Sequence, residues 1–310
     1  MTAMRASRPL AVVGNVNVDL ILGPCAPWPE PGTEVMVEHD DLRVGGAAGN
    51  TALAWAALGQ PHQIFANVGR DAFGAWLKDG FGERANGWIT EDASTTLSVG
   101  ITHPNGERTF LTTTGHLPRL SWASLEGMMD GEALSGGLLL VCGSFLTNSL
   151  TGDYGKLFDW ADRHEVEIAL DTGWPLEGWT REVREMVRAW LPRCRYLLLN
   201  EVETRSLAET ENVGEGLDRL QTQLKLGGTA VAKLGANGAM AKAAEGEPIR
   251  RPAPKVSVID TIGAGDVFNA GFLLGIATGQ DLARAVDGGI ALASRAVSTA
   301  PRRYEFGEPQ

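Results

Sequence analysis

Long apolar runs are missing from this sequence. Nowhere do about 18 apolar residues follow one another, so no membrane-spanning helix is expected. Met1 to Leu10 carries basic residues and no apolar stretch before the first strand, so no signal peptide is expected either. Cysteine is scarce. Cys25, Cys142 and Cys194 are widely spaced and form no CxxC, which fits reduced thiols in a cytoplasmic protein better than disulfides or a zinc site. The five histidines are scattered, which argues against a histidine-held metal. Positive charge is in deficit. A formal net charge of −11 disfavours nucleic acid and anionic membranes as partners. Several nucleotide and hydrolase signatures are absent too. Gly155-Lys156 runs into Leu157, so there is no GxxxxGK(S/T), and the first strand leads to GNVNVD, not GxGxxG. No HExxH, GxSxG or protein-kinase HRD set occurs.

What remains is 310 residues at 44% apolar content, enough for one large α/β domain with a small appendage and a core that needs no staples. Leu10 to Val16 reads as a buried strand, with Asn17 to Asp19 at its end. Glu34 to Glu38 alternates and reads as a half-exposed strand. Gly45, Gly46 and Gly49 open an Ala-rich helix over Thr51 to Leu58 that stops at Gly59. His62 to Val68 reads as a strand and Ala72 to Ala85 as a helix. Thr95 to Thr114 alternates about Asn105-Gly106, the strongest short-range hairpin signal. The two partly exposed pieces, about 18–45 and 95–114, are expected to pair as a β-lid on a single domain spanning 1–310. From Leu138 onward strands and helices alternate. Strands are expected at Leu138–Cys142, Glu167–Leu170, Tyr196–Leu199 and Thr229–Leu234. The helices between them are expected at Tyr154–His164, Thr180–Trp190, Val202–Ala208 and Gly216–Leu224. Repeated βα units argue a parallel sheet with helices on both faces and ligands beyond the strand C-termini. Asn17, Asp19, Ser144, Asp171, Asn200 and Glu203 fall there.

The chemistry concentrates in DTIGAGD, Asp260 to Asp266, set between the strand-like run Val256–Ile259 and a helix that stops near Gly279. Gly263, Ala264 and Gly265 are small enough to let backbone N–H groups approach a ligand. The first turn of a helix leaves those donors unpaired and carries partial positive charge, a place for phosphate oxygens. Asp266 lies in the same turn. It is either a favourable dipole partner or a general base that takes a hydroxyl proton as the oxygen attacks a phosphorus.

These motifs together resemble the ribokinase-like, PfkB-type carbohydrate kinase family, from Val12 to about Arg295. DTIGAGDVFNAGF is the most specific match, GGAAGNTALAWAALG at 45–59 less so, and VGRDAFG at 68–74, NEVE at 200–203 and KLGANG at 233–238 follow the family's order. The resemblance implies a three-layer α/β/α sandwich with a mostly parallel sheet and a small β-lid. It implies ATP-dependent phosphorylation of a sugar hydroxyl, with Asp266 as base and Gly263, Ala264 and Gly265 as anion hole. By the same resemblance Asn17 and Asp19 hold substrate hydroxyls, as an amide and a carboxylate two apart on a strand can. Gly45, Gly46 and Asn50 form the second substrate element. Asn200 and Glu203 match an NxxE motif that organises Mg²⁺ through water, although Asn-x-x-Glu is also a common helix cap. Lys233, Leu234, Gly235 and Gly238 match the nucleotide-contacting segment, and Lys233 either reaches a phosphate or is solvated.

Other implications stay open. Ala47 stands where ribokinases proper often carry Lys, which weakens ribose as the substrate. An acidic sugar would want an Arg or Lys in the pocket, with Arg108 available. A nucleoside kinase of the same fold would want an aromatic over the base, with Phe110 and Trp28 available, though core packing is the commoner role of Trp28, Trp174 and Trp179. The resemblance leaves room for a monovalent cation (K⁺) near Asp260 and Ile262, and the tail from Ala300 diverges where its other ligands would lie. It also allows a homodimer through the lid, with Val35, Val37, Ile101, Phe110 and Leu111 as the apolar face.

Overall fold

The computed structural model describes residues 8–104, 107–300, 302 and 304. Its main sheet has eight strands. Gln63–Phe65, Leu10–Val13, Leu138–Cys142, Glu167–Asp171, Cys194–Asn200 and Thr229–Lys233 run parallel in that spatial order. Ala239–Ala243 and Ile249–Arg251 add antiparallel at the far edge. The parallel strands are nearly continuous apolar runs because both faces are covered. Leu138, Leu140 and Cys142 point into one core with Leu10 and Val12; Leu139 and Val141 point into the other with Ala11 and Val13. The first core holds helices Ala47–Ala57, Ala264–Ala277 and Leu282–Val297, and the second holds Tyr154–Arg163, Arg181–Trp190 and Val213–Gln221. The result is the expected three-layer α/β/α sandwich. No described helix is long and apolar enough to cross a membrane.

Helix Ala264–Ala277 is apolar nearly all round because it is buried on all sides. Its partner Leu282–Val297, which sequence periodicity did not single out, lies almost in backbone contact with it. A Cβ on Gly271 would sit 2.7 Å from the Gly288 carbonyl, and one on Gly275 2.8 Å from Ala285 Cα. Overpacking there would cost about 1–3 kcal/mol. Trp55 Nε1 donates to the Ala270 carbonyl at 2.9 Å and ties helix Ala47–Ala57 to the same unit.

A separate four-stranded sheet has the order His39–Gly45, Asn17–Gly23, Leu97–Thr102, Arg108–Thr112. The two partly exposed pieces do pair, but not as drawn from sequence. The strand before the glycines is His39–Gly45; Glu34–Glu38 is not in a strand. The chain leaves the main sheet after Val13, so Asn17 and Asp19 are the opening residues of the small sheet. His62–Val68 likewise splits into strands of two different sheets, Gln63–Phe65 and Asn67–Gly69. Asn105 and Gly106, the expected hairpin turn, lie outside the described residues.

Strand alternation gives the small sheet two unlike faces. Asn17, Asp19, Ile21, Arg43, Phe110 and Arg108 share one face, and Leu20, Leu22, Leu42, Val99, Ile101 and Leu111 the other. Phe110 therefore does not belong to the apolar outer face with Leu111. Val35 and Val37 precede the strand altogether.

Candidate active site

Helix Ala264–Ala277 begins at Gly263, whose φ of 72° is left-handed. A side chain there would be strained, and its Cβ would lie 2.6 Å from Asn50 Nδ2. The preceding residues are not the expected strand. Val256 to Ile259 is an extended strap over the end of helix Leu282–Val297, with the Ile259 and Asp260 amides donating to the Val297 carbonyl. Val258 and Ile259 are more than half exposed, so no sheet neighbour was available to make them a strand. Of the expected anion-hole amides, Ala264 N–H is engaged by the Thr261 carbonyl at 3.2 Å. The amides of Gly263, Gly265 and Asp266 have no partner among the described residues. The Asp266 amide thus takes the place of the Ala264 amide among the open donors at this helix N-terminus.

Asp266 stands in that first turn and is partly buried. Asn50 Nδ2 donates to its Oδ2 at 2.9 Å, and Thr51 Oγ1 donates to its carbonyl at 3.2 Å. Asn50, expected to face a sugar, donates here to the carboxylate of Asp266. Burial first, and then the Asp171 charge, pushes the Asp266 carboxyl up to about 6, against the opposing pull of Asn50 and Lys233.

Asn17 and Asp19 lie side by side on the small sheet. Asn17 Nδ2 donates to Asp19 Oδ1 at 2.7 Å, and Asn15 Nδ2 donates to Asn17 Oδ1 at 3.3 Å. Burial raises the Asp19 carboxyl to about 6 despite Arg43. Gly45 makes room for this carboxylate: a Cβ there would lie 2.1 Å from Asp19 Cγ. Gly46, at φ 84°, lets helix Ala47–Ala57 start against the Asn15 carbonyl.

A second polar cluster sits behind Asp266. Lys233 Nζ meets Asp171 Oδ2 at 2.6 Å, and Asn269 Nδ2 donates to the same oxygen at 2.6 Å. Lys233 is therefore neither solvated nor lost in the core. Burial would lower its pKa, but Asp171 and Glu203 win and raise it. Asn269 was missed by sequence reading, yet it is the one amide in an otherwise apolar helix stretch, and that was its signal. Asn200 and Glu203 form a reciprocal capping box: Glu203 N–H donates to Asn200 Oδ1 and Asn200 N–H to Glu203 Oε2, both at 2.8 Å. Burial first, then the Asp171 charge, pushes Glu203 up to about 7. No group of three or more metal-ligating side chains is present among the described residues. One carboxylate and one amide suit Mg²⁺, which keeps several of its waters.

Beside the glycine turn opens a cleft of about 530 Å³. Lys233, Gly235 and Gly238 line it at one end, Ala264 and Gly265 at another, with Phe268 and other apolar side chains between. Leu234 is not on this wall; it is buried in the second core. Trp28 and Trp174 are each about half exposed, so core packing is not their role, whereas Trp179 packs edge-on against Phe145. Arg108 does not point free into a pocket. It bonds Thr261 Oγ1 at 2.5 Å and Asp260 Oδ1 at 3.2 Å.

Comparison with known proteins agrees with this layout. The family model for the pfkB family of carbohydrate kinases matches residues 7–301. An uncharacterized sugar kinase of Escherichia coli, YegV, is 29% identical over 95% of this chain and 92% of its own length. Arabidopsis thaliana ribokinase, solved with ribose and ATP, superposes with a TM-score of 0.76 over 94% of this chain and 93% of that one, at 21% identity. The adenosine kinase of Sinorhizobium meliloti does so at 0.78, with 96% of each chain covered and 22% identity.

Proposed function

The chain belongs to the pfkB family of carbohydrate kinases, and on that premise we propose that it transfers the γ-phosphate of ATP to a hydroxyl of a small carbohydrate, with Asp266 as general base. One observation carries the proposal: a partly buried carboxylate, its pKa raised to about 6, shares a helix turn with open backbone amides. The Asn17–Asp19 pair binds the sugar hydroxyls. The apolar cleft beside Gly235 and Phe268 takes the nucleotide base. The amides of Gly263, Gly265 and Asp266 meet the charge that develops on the phosphoryl oxygens. Asn200 and Glu203 would hold a Mg²⁺ ion, which would supply further positive charge against the phosphates. Asp266 receives the hydroxyl proton as the oxygen attacks. The small sheet acts as a lid that excludes water. Its outer face, with Leu42 and Leu111 exposed, is the surface for a homodimer.

ADP release measured across pentoses, hexoses, sugar acids and nucleosides tests the activity. Sugar-dependent release is expected, and none with any member refutes it. A second reading, a nucleoside kinase, draws on Phe110, about half exposed on the same face as Asp19. Nucleosides outcompeting all free sugars in that screen would select it.

Two expectations follow from the geometry. Asp19→Ala should raise KM for the sugar by roughly 100-fold, because a buried site that has lost a hydrogen-bonded carboxylate leaves substrate hydroxyls unpaired. ATP affinity, read by calorimetry, should stay near wild type; an unchanged sugar KM removes Asp19 from the binding role. The pH profile should show kcat falling below about pH 6, where Asp266 is protonated and cannot accept a proton. A flat kcat from pH 7 down to 4.5 contradicts a base of this pKa.

A further inference from the structure

Asp260 opens the glycine turn, and its carboxylate is saturated with cationic partners. Oδ2 meets Arg43 Nη1 at 2.6 Å and Arg302 Nη2 at 3.0 Å. Oδ1 meets Arg108 Nη2 at 3.2 Å and accepts from the Ile262 amide at 2.9 Å. Arg302 Nη2 also donates to the Ile262 carbonyl. These are the two residues that the family resemblance associates with a monovalent cation.

The site does not fit such an ion. A bare K⁺ exchanges its water for protein oxygens, and it needs their lone pairs turned toward it. Here the Asp260 carboxylate and the Ile262 carbonyl already face one guanidinium nitrogen. Charge argues the same way. Three guanidinium groups, those of Arg43, Arg108 and Arg302, already meet the one carboxylate of Asp260. A further cation would enter against these like charges at short range. The three arginines come from three separate places: Arg43 and Arg108 from two strands of the small sheet, Arg302 from beyond the last helix. Arg302 is also the one that reaches the turn itself. Its Nη1 would lie 3.2 Å from a Cβ on Gly263, close behind the open amides.

We infer that Arg302 is a built-in cation: it supplies the fixed positive charge and the grip on the Ile262 carbonyl that position the anion-binding turn, so that turnover is independent of K⁺. Arg302 is a positioning residue, acting through the turn and not on the substrate. Burial would raise the Asp260 pKa, but the Ile262 amide, Arg43 and Arg302 overcome it, so the clamp is charged at neutral pH. An arginine keeps its proton at any working pH, which makes it a permanent substitute for an ion.

The inference rests on the kinase reading only for its rate measurements. ADP release is to be measured at constant ionic strength with K⁺ replaced by tetramethylammonium. The wild type should change less than twofold from zero to 150 mM K⁺; activation of more than fivefold overturns the inference. Arg302→Ala should lose at least tenfold in kcat without K⁺ and recover part of it when K⁺ enters the vacated oxygens, while Arg302→Lys stays within a few-fold of wild type. A purely structural role would not give K⁺ activation, so an Arg302→Ala variant that keeps full activity, or that K⁺ leaves unchanged, overturns the assignment. A crystal of the wild-type chain soaked in Tl⁺ decides independently of turnover: no anomalous peak beside Asp260 and Ile262 is expected, and a peak there refutes the inference even if no sugar is ever phosphorylated.

Discussion

Asp266→Asn should lower kcat by about 10³-fold, the range a positioned general base contributes, and should make the protein more stable at the same time. The loss follows from the proposed chemistry. An amide in the same place still accepts or offers hydrogen bonds but takes no proton from the attacking hydroxyl. Binding should survive, because the amide cradle and the apolar cleft do not involve the carboxylate. The gain follows from burial. Asp266 ionises at about 6 in the folded chain against 3.8 for a free aspartate side chain, so the fold binds the proton more tightly than the unfolded chain does. Stability therefore falls as pH rises through that window, and above pH 6 the full cost is present. A rise from 3.8 to about 6 corresponds to at most roughly 3 kcal/mol. Asparagine removes the cost, and its carbonyl can still accept from Asn50. Urea unfolding should show the variant ahead of wild type at pH 8 and level with it at pH 4. Wild-type turnover in the variant removes Asp266 from the base role, and equal stability at pH 8 removes the account of burial.

How far the sequence reached can be judged from such residues. The strands Leu138–Cys142 and Thr229–Lys233 were legible within a residue because burial on both faces writes them as short apolar runs. Asp266 and its glycines were legible because a turn that presents backbone to a ligand tolerates few side chains. The strap Val256–Ile259 was misread because an apolar run carries no label for whether a neighbouring strand exists to pair with it. Helix Leu282–Val297 escaped for a related reason: its glycines, which close the gap to helix Ala264–Ala277, lower its helix propensity. The arginine clamp on Asp260 was out of reach. Its three partners lie far apart in the chain, and nothing local in Arg43 or Arg302 indicates a shared carboxylate. Asp171 was placed at a strand end, but its pairing with Lys233 and Asn269 required the fold. The same limit applied to the two faces of the small sheet, where one residue of register separates Phe110 from Leu111.

The Lys233–Asp171 pair supports the second large effect. Lys233→Met should destabilise the protein by about 3–5 kcal/mol near neutral pH, the usual cost of removing one partner from a buried ion pair. Both side chains are about one-tenth exposed, so the lost ammonium is only partly replaced by water from the cleft. Methionine fills much of the volume, which leaves charge as the main change. Asp171 would keep the Asn269 amide but lose its counter-charge, with Glu203 and Asp266 close enough to be raised by it. The loss should shrink at acid pH, where these carboxylates take up protons and the missing cation matters less. Activity should report the same electrostatics by a separate route. Lys233 holds the Asp266 pKa down, so without it the acid limb of the kcat profile should move above pH 6. Stability alone could fall for many reasons, including a misfit of the methionine. The displaced acid limb could not, because it requires that the ammonium at 233 and the carboxylate at 266 sense one another. An acid limb that stays at the wild-type pH would uncouple them and leave Lys233 a structural residue only.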